Sequence, residues 1–189
     1  MSNYFLISDL HLGHANSINF KRTDGKPLRP FASVEEMDET IIDNWNKVVG
    51  KNDKVCILGD VVINKKHLHK VDRLNGNKAL VMGNHDELSL ELLSKHFYKV
   101  YGSKEHDTCI FTHIPVHTNQ LMRFSANLHG HSHSNFVLNE DGERDWRYFN
   151  VSVDCDTMNF TPKAWEDIVK ILKDRGVVLQ SKRSGRIIE

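Results

Sequence analysis

The sequence has few of the residues that mark disulfide-rich, membrane or strongly charged proteins. It contains 4 prolines and 3 cysteines in 189 residues, and its 25 basic and 25 acidic side chains cancel. Cys56, Cys109 and Cys155 are widely separated within apolar runs, which favours free buried thiols over a disulfide framework or a zinc knuckle. No apolar run approaches the roughly 20 residues that span a bilayer. Zero net charge excludes a whole-molecule field that would recruit nucleic acid or a membrane surface.

The N-terminal segment is a poor signal peptide, because no basic residue precedes its apolar stretch and Asp9 and His11 interrupt that stretch early. We therefore expect a cytoplasmic protein. Hydrophobic residues at 39% and charged residues at 26% are close to globular norms. No repeat or linker is visible, so residues 1–189 are expected to form one domain.

Apolar runs rich in Val, Ile and Phe predict strands at 3–8, 54–58, 78–82, 108–112, 126–129 and 148–153. The early strands alternate with helical segments and the later ones come more densely. This order favours an α/β fold with a mixed sheet or two packed sheets over a purely parallel sheet. Residues 16–30 are polar and predict a long loop, and residues 180–189 predict a last strand or a mobile end.

Helix signals of different strength lie between these strands. The strongest is a capping box, Ser33 followed by Glu36. The apolar residues that repeat behind it at helical spacing are Met37, Ile41, Trp45 and Val48. Weaker helical patterns cover 67–74 and 88–97. A final helix is expected from Thr161 as cap and Pro162 as first residue to a stop at Gly176, with Trp165, Ile168, Val169 and Leu172 facing inward.

Histidine is the one compositional excess, with 12 copies where typical usage gives about four. Five of the six predicted strands end in a polar cluster. The clusters are Ser8-Asp9-Leu10-His11, Gly59-Asp60, Gly83-Asn84-His85-Asp86, His113 and His129-Gly130-His131-Ser132-His133. Ligands of open α/β sheets gather beyond the carboxyl ends of the strands, so these clusters are expected to meet at one site.

The donors of that site carry oxygen and nitrogen ligands and no thiolate. They are Asp9, His11, Asp60, Asn84, His113, His131 and His133. Such a set suits borderline divalent cations such as Mn, Fe, Zn, Co or Ni. Seven ligands are too many for one ion, so we predict two divalent ions, with Mn the first choice and Asp60 as the bridging carboxylate. Gly59, Gly83 and Gly130 are expected where the backbone turns sharply near the ions.

In this order the motifs DLH, GD, GNHD, a single H and GHSH resemble the calcineurin-like metallophosphoesterase superfamily. The resemblance covers residues 8–133 and, weakly, the NVSVD segment that follows. It is nearest to short single-domain phosphoesterases of bacteria and phages. It implies a four-layer α/β/β/α sandwich with mixed β-sheets. By family analogy one ion is bound by Asp9, His11, Asp60 and His133, and the other by Asp60, Asn84, His113 and His131.

The chemistry that this resemblance implies is phosphoester hydrolysis. Two cations polarise the phosphoryl oxygens and lower the pKa of a bridging water, which supplies hydroxide for in-line attack on phosphorus. The resemblance also implies that His85 contacts the phosphate and protonates the leaving oxygen, with Asp86 orienting its ring. Both residues also have a purely structural alternative, because His85 could cap the next helix and Asp86 could be an ordinary helix N-cap.

Residues outside the ligand set carry weaker hypotheses. His14, Arg22 and Arg123 are candidates for substrate binding, with Lys21 and Arg29 as further members of an anion funnel, although charged loop residues are usually only solvated. Arg144 and Arg147 flank Trp146 and could stack and bind phosphate, or simply form a turn. His129 and His117 are expected to pack or support the site. His67, His69, His96 and His106 are expected at the solvated surface.

Three functions remain open from the sequence. The first is a phosphohydrolase acting on a phosphomonoester or phosphodiester of a nucleotide or nucleic-acid end. The second is a non-catalytic metal-binding scaffold on the same fold, which the complete ligand set and His85 disfavour. The third is a nuclease on long DNA or RNA, which zero net charge and 8% aromatic residues disfavour. The expected partner is therefore a small phosphoester or nucleotide, with no membrane and no long nucleic-acid tract.

Overall fold

A computed structural model describes residues 2–179, and the predicted last strand or mobile end at 180–189 lies outside them. The strands are β1 Tyr4–Ile7, β2 Lys54–Ile57, β3 Asn77–Val81, β4 Lys99–Tyr101, β5 Lys104–His106, β6 Cys109–Phe111, β7 Ala126–His129, β8 Tyr148–Asn150 and β9 Lys163–Ala164. The α-helices are α1 Val34–Val48, α2 Leu90–Leu93 and α3 Trp165–Asp174. Short 3-10 helices occupy Ala15–Asn19, Lys65–Arg73 and Thr118–Arg123.

The strands form two mixed sheets. One has the order β4-β3-β2-β1-β9, in which only β9 runs antiparallel to its neighbour. The other has the order β5-β6-β7-β8, in which only β5 is antiparallel. The fold class predicted from the sequence, an α/β sandwich with mixed sheets, is confirmed.

The two sheets are joined where their parallel strands end. Ser8, just after β1, donates its backbone N–H to Val151 and accepts from Val153, both just after β8. One hydrophobic core contains apolar residues of both sheets. Because β1, β2 and β3 run parallel to one another, as do β6 and β7, and the two sheets are joined at the ends of these strands, the loops that follow them lie at one common edge of the molecule.

The capping box of α1 is present. The Ser33 hydroxyl accepts from the Glu36 N–H at 3.1 Å, and the Glu36 carboxylate accepts from the Ala32 N–H at 2.7 Å. The helix buries Trp45 as expected, but Val48 is 42% exposed and Val49 is buried in its place. The helix ends at Val48, and the extended backbone of Val49 turns that side chain inward.

The predicted start of the last helix is wrong. Lys163 and Ala164 pair with β1 as a short antiparallel strand, and the helix begins only at Trp165. The ladder with β1 therefore outweighs the local preference for a helix beginning at Pro162. The end is as expected, because Gly176 adopts φ +80° and its N–H caps the Lys173 carbonyl.

The two weak helix predictions differ from the structure in type or in length. The 67–74 pattern forms a 3-10 helix, and the 88–97 pattern keeps only the four residues of α2. All three cysteines are buried and free. In residues 2–179 no helix is both long and apolar enough to cross a bilayer.

Candidate metal centre

The loops after the parallel strands place most of the predicted ligands in an unusual backbone conformation. Positive φ angles occur at Asp9 (56°), His11 (49°), Asp60 (53°), His131 (65°) and His133 (50°). These are five of the eight non-glycine residues with positive φ in the described chain. Left-handed backbone is disfavoured for such residues and persists only where the surrounding structure imposes it.

Backbone hydrogen bonds between the loops impose that conformation. Asp9 N–H donates to the Gly59 carbonyl at 3.0 Å, and His11 N–H donates to the Asp60 carbonyl at 3.1 Å. Gly130 N–H donates to the His113 carbonyl at 2.9 Å. These bonds join the β1 loop to the β2 loop and the β6 loop to the β7 loop. The His131 N–H, which donates to Asp9 Oδ2 at 2.9 Å, links the two pairs of loops.

The glycines of the motifs allow the loops to approach closely. A Cβ on Gly83 would lie 2.2 Å from Asp60 Oδ1, and one on Gly130 would lie 2.4 Å from Asp9 Oδ2. Gly59, at φ +90°, also could not carry a Cβ, which would lie 2.5 Å from His113 Nδ1. The expected sharp turn holds for Gly59. At Gly83 and Gly130, where φ is not positive, glycine is needed for space.

The first half of the site, here called the Asn84 group, consists of Asn84, His113 and His131. Asn84 Oδ1 lies 2.9 Å from His113 Nε2 and 2.9 Å from His131 Nδ1. Asp60 Oδ2 lies 3.3 Å from His113 Nε2. An amide oxygen, two ring nitrogens and a carboxylate oxygen therefore meet within hydrogen-bonding distance.

The tautomer of His113 shows that this group needs a cation. His113 Nδ1 lies 2.8 Å from the Leu58 carbonyl, which can only accept, so Nδ1 carries the proton in the neutral ring. His113 Nε2 then presents a lone pair to the oxygens of Asn84 and Asp60, which are also acceptors. A proton or a metal ion resolves this clash, and a backbone carbonyl on the far nitrogen is the usual support for a metal-binding histidine.

The pKa values follow from these contacts. Burial by itself lowers the pKa of His113, but the hydrogen bond and charge of Asp60 outweigh it and raise that pKa to about 9. Burial raises the pKa of Asp60, yet His113 and the His85 N–H, which donates to Asp60 Oδ1 at 3.0 Å, bring it down to about 2. Asp60 is therefore ionised throughout the physiological range.

The second half, here called the Asp9 group, consists of Asp9, His11 and His133, whose ligand atoms lie within 4.8 Å of one another. His11 Nε2 is 3.9 Å from Asp9 Oδ1 and 3.8 Å from Asp60 Oδ2. These distances are too long for hydrogen bonds, and they suit ligands that each lie about 2.0–2.2 Å from one shared ion. Burial lowers the pKa of His11 to about 3, so its ring is neutral and able to bind a metal.

Asp60 Oδ2 faces both halves, since it lies near His11 of one and His113 of the other. This position supports the predicted bridging carboxylate. Asp9 also approaches both sides, because it forms a second possible ligand cluster with Asp60 and His113. The structure thus brings all seven predicted ligands close together, whereas their division between two ions stays a prediction.

Asp9 is fully buried and held by several donors. Its carboxylate accepts from the Ser8 hydroxyl, from the Ser152 hydroxyl at 2.9 Å and from the His131 N–H at 2.9 Å. Burial nevertheless dominates and raises the pKa of Asp9. A buried carboxylate of this kind is stabilised in its charged form by a neighbouring cation.

Asp154 and Arg29 support the Asp9 group and were not assigned this role from the sequence. His133 Nδ1 lies 2.9 Å from Asp154 Oδ2, which also accepts from Arg29 Nε at 2.8 Å. Arg29 further donates to the backbone carbonyls of Asp9 and Leu10. A carboxylate on Nδ1 fixes the tautomer that leaves Nε2 of His133 for a metal. Asp154 lies in the weakly matching NVSVD segment, which was the only available signal.

The predicted placement of Arg29 in an anion funnel is wrong. Its side chain is buried beneath the β1 loop, with 1% of the residue exposed. All three of its donor nitrogens have partners inside the protein, so none is free to meet a substrate.

The predicted contact between Asp86 and the His85 ring is also absent. Asp86 is buried and accepts from the backbone N–H groups of Asp60 at 2.8 Å, Val61 at 3.0 Å and Gly83 at 2.9 Å. Both carboxylate oxygens are thus used to join the β2 and β3 loops. Asp86 positions Asp60 and its neighbours and leaves His85 without a carboxylate partner.

Comparisons with known proteins agree with this geometry. The family model described as calcineurin-like phosphoesterase matches residues 3–184. The chain belongs to the calcineurin-like phosphoesterase family. The uncharacterized protein MJ1445 of Methanocaldococcus jannaschii is 32% identical over 184 residues, covering 94% of this chain and 96% of that protein.

Two further similarities also cover most of this chain. The Gene 66 protein of Mycobacterium phage L5 is 27% identical over 193 residues, covering 82% of this chain and 88% of that protein. The crystal structure of the protein AQ665 of unknown function from Aquifex aeolicus has a TM-score of 0.67 at 24% identity, covering 90% of this chain and 100% of that one. The latter similarity shows a common fold. The resemblance stated from the motifs is confirmed.

Within this phosphoesterase, His85 lies at the mouth of the site. It is exposed, and its ring centre is 5.8 Å from that of His11, edge to face. The ring of His14 is also close to that of His11, with 6.2 Å between the ring centres. Burial lowers the pKa of His14. Both histidines are therefore near the Asp9 group, where their predicted contacts to phosphate remain to be tested.

Arg22 and Arg123, the two arginines proposed as substrate ligands, lie differently in the phosphoesterase. Arg22 forms a bidentate pair with Asp156, at 2.7 and 3.2 Å, on the surface. Arg123 is at the opposite end of the second sheet, in a pocket with Thr108, which precedes β6, whereas His113 follows β6. The prediction that Arg123 contacts the substrate at the metal site is therefore wrong.

The other histidines of the phosphoesterase are structural. His129 is buried beside Tyr148, and burial lowers its pKa to about 4, in line with the expected packing role. His117 caps the 3-10 helix at Thr118–Arg123. His106 was expected at the surface but is partly buried, with its ring 4.9 Å from that of Trp165.

Proposed function

We propose that this protein is a dinuclear metal-dependent phosphohydrolase that cleaves a phosphomonoester or phosphodiester of a nucleotide or nucleic-acid end. The observation that carries the proposal is the convergence of acceptor atoms at Asp60, Asn84 and His113, which a proton on His113 relieves in the metal-free protein and a bound metal ion would relieve in its place. Membership of the calcineurin-like phosphoesterase family supports the same chemistry.

The donor set fits two borderline divalent ions, Mn first and then Fe, Ni, Co or Zn. The Asp9 group with Asp60 would hold one ion, and the Asn84 group with Asp60 would hold the other. When bound, the ions supply hydroxide at neutral pH and neutralise the charge that develops on the phosphoryl oxygens. Because Nδ1 of His113 faces the Leu58 carbonyl and Nδ1 of His133 faces Asp154, Nε2 is the atom through which each ring would bind a metal once its proton is displaced.

The burial of the site supports an approach from one side. Asp9, Asp60 and His113 are buried, whereas Asn84, His85 and His131 are exposed. A phosphoester would therefore enter over Asn84 and His131, beside His85. From that position His85 would donate a proton to the leaving oxygen, since an alkoxide leaving group is costly without a general acid.

The arrangement favours an enzyme over a non-catalytic scaffold. A metal-binding scaffold needs the donors and their strained backbone as much as an enzyme does, but it has no need for an exposed histidine beside them. His85 is that histidine, with its ring centre 5.8 Å from that of His11.

The test is a panel of metals and substrates on metal-free protein reconstituted with Mn, Ni, Co, Zn or Mg. Substrates are generic phosphomonoesters and phosphodiesters, then nucleotides, cyclic dinucleotides and 2′,3′-cyclic phosphates. We expect hydrolysis with at least one transition metal at a stoichiometry of two ions per chain. Elemental analysis that finds tight binding of two ions but no hydrolysis of any substrate would support the scaffold instead.

A further inference from the structure

A second pocket lies at the far end of the molecule from the metal centre. It has a volume of about 740 Å³ and is lined where β6, β7 and β8 begin and where α3 ends. Thr108 precedes β6 and Arg147 precedes β8, while Arg175 caps α3. The proposed ligands of the metal centre follow the same strands, so the two sites are at opposite ends of the second sheet.

The pocket is rich in arginine. Its charged lining residues are Arg123, Arg144, Arg147, Arg175, Glu143 and Asp145. Asp145 is used by Arg147, with Arg147 Nη2 at 2.6 Å from Asp145 Oδ2. In the described chain no carboxylate lies within 4.0 Å of the guanidinium groups of Arg123, Arg144 or Arg175. Glu143 is the one carboxylate of the described lining without an arginine partner, and Asp156, which pairs with Arg22, also acts on Arg144 through its charge.

Two of these arginines are held in place by aromatic rings. The Arg144 guanidinium is 3.7 Å from the ring centre of Phe136 and 4.4 Å from that of Trp146. The Arg175 guanidinium is 4.8 Å from the Trp146 ring centre and 5.4 Å from that of Phe149. Stacking fixes the plane of each guanidinium, and its N–H groups then point in defined directions.

Hydrogen-bond donors of both stacked arginines are unused. Arg144 Nε and Arg175 Nη1 are buried from solvent and have no acceptor. Burial lowers the pKa of both side chains, and the charge of Arg175 lowers that of Arg144 further. Protein atoms cover these two nitrogens, but the guanidinium groups that carry them bring positive charge without a carboxylate partner to the pocket lining. A cluster of such charges favours an anion as the ligand of this pocket.

Charge and size define the class of that anion. A carboxylate would offer one negative charge to three guanidinium groups, whereas a phosphate monoester carries nearly two and three acceptor oxygens. The pocket is far larger than an inorganic phosphate and lies within the range of about 300–1,000 Å³ that is typical of small-molecule sites. Exposed Met122 and Trp146 offer an apolar surface to the rest of the ligand.

We propose that this pocket binds a small phosphate monoester, with Arg123, Arg144 and Arg175 around the phosphate. The site is separate from the metal centre and does not depend on the hydrolytic function proposed above.

Isothermal titration calorimetry on metal-free protein tests the proposal. The probes are inorganic phosphate, ribose 5-phosphate and adenosine 5′-monophosphate, with adenosine as the uncharged control. We expect saturable 1:1 binding of the phosphate esters, weaker binding of inorganic phosphate, and no binding of adenosine. The two esters distinguish a sugar phosphate from a nucleotide as the preferred source of the phosphate.

Variants locate the binding in this pocket. Arg144→Gln and Arg123→Gln should each weaken ester binding by about tenfold or more, the effect of losing one charge-assisted contact. Arg123 is exposed and makes no aromatic contact in the described chain, so Arg123→Gln keeps the test valid if Arg144→Gln fails to fold. Arg73→Gln, which removes an arginine paired with Glu39 elsewhere on the surface, is the matched control and should leave binding unchanged.

Two results would overturn the proposal. One is the absence of saturable binding by any of the three phosphate probes. The other is binding that Arg123→Gln and Arg144→Gln leave intact, or that Arg73→Gln weakens equally, since this would place the anion elsewhere. Because no metal is present, loss of hydrolytic activity cannot produce either result.

Discussion

The two halves of the metal centre differ in how their charges are balanced. In the Asn84 group the donors touch one another and Asp60 at 2.9–3.3 Å, and His113 is basic enough, with a pKa of about 9, to retain a proton. In the Asp9 group the contacts from His11 to the carboxylates are 3.8–3.9 Å long, and burial dominates the pKa values of His11 and Asp9. Burial raises the pKa of Asp9 and lowers that of His11. Burial also lowers the pKa of His133, but the hydrogen bond and charge of Asp154 outweigh it and raise that pKa.

This difference shows two ways of preparing a cation site. The Asn84 group holds a proton in the place of a metal ion, so a metal must displace that proton. The Asp9 group keeps neutral His11 beside a carboxylate and depends on outer partners, chiefly Asp154 with Arg29, to hold its shape. Asp60 belongs to both, and changes there should affect the whole centre.

Removing Asp60 should have the largest effect, because it breaks both halves at once. Asp60→Ala should lower kcat by at least about 10³-fold, since several kcal/mol of transition-state stabilisation by the ions is lost. Elemental analysis should find less than two ions per chain. Asp60→Asn, of matched volume, checks folding by circular dichroism. Full activity with one bound ion in Asp60→Ala would contradict a shared carboxylate.

His85 lies beside the Asp9 group but is not expected to bind an ion. His85→Ala should keep both ions and slow hydrolysis of esters with poor leaving groups by about 10²–10⁴-fold. Esters with good leaving groups need no general acid and should be much less affected. The measurement is kcat across a series of leaving-group pKa values. Equal losses across the series would remove His85 from the role of acid.

Asp154→Asn tests the outer support of the Asp9 group alone. It weakens the hold on His133 and leaves Arg29 without its ion pair, and should lower the affinity of one ion by about 10–100-fold. Asp156→Asn, two residues further on, removes an exposed carboxylate that pairs only with Arg22 and serves as the control. Metal titration should show one weakened site in Asp154→Asn and none in Asp156→Asn. Equal weakening of both ions would mean that the halves are not independent.

The Asn84 group should release about one proton when it takes up a metal between pH 6.5 and 9, because His113 is protonated there only in the metal-free protein. Calorimetry in buffers of different ionisation enthalpy measures this proton. Metal uptake with no proton release at pH 7 would contradict the assignment.

His113 and Asp60 should also make the stability of the metal-free protein depend on pH. The raised pKa of His113 stabilises the fold below about pH 6.5, the pKa of an unfolded histidine, and this contribution is lost as pH rises through 9. The lowered pKa of Asp60 stabilises the fold above about pH 4 and is lost as pH falls through 2. Urea unfolding should therefore show the greatest contribution of this pair between about pH 4 and 6.5. The profile should flatten in His113→Gln.

Most of the ligand set was predictable, because residues at the ends of parallel strands share one edge of a sheet. That rule depends only on strand patterns and on polar residues that follow them, as in Leu58-Gly59-Asp60. The long helix α1 was equally accessible, since its cap at Ser33 and its apolar stripe are local signals. Its last buried residue was misjudged by one position, because the backbone leaves the helix at Val49 and buries that side chain instead of Val48.

Other features were decided only in three dimensions. The sequence predicted Arg29 to be a charged loop residue, but its side chain is buried and supports the Asp9 group. Its partners Asp9, Leu10 and Asp154 come from segments up to 125 residues away, which no local pattern reveals. Asp86 was predicted to hold the ring of its neighbour His85, but its carboxylate accepts hydrogen bonds from the N–H groups of the β2 loop instead. Arg123 lies between His113 and His131 in the sequence, yet in the fold it is at the other end of the second sheet.

The sequence by itself determined the order of strands and motifs, the family and the chemical identity of the ligands, since these follow from residue type and spacing. Only the tertiary structure decided the tautomers of His113 and His133 and the grouping of the arginines into a second pocket. The physical reason is that hydrogen bonds, burial and charge act through space, and their partners are brought together by packing and not by neighbouring positions in the chain.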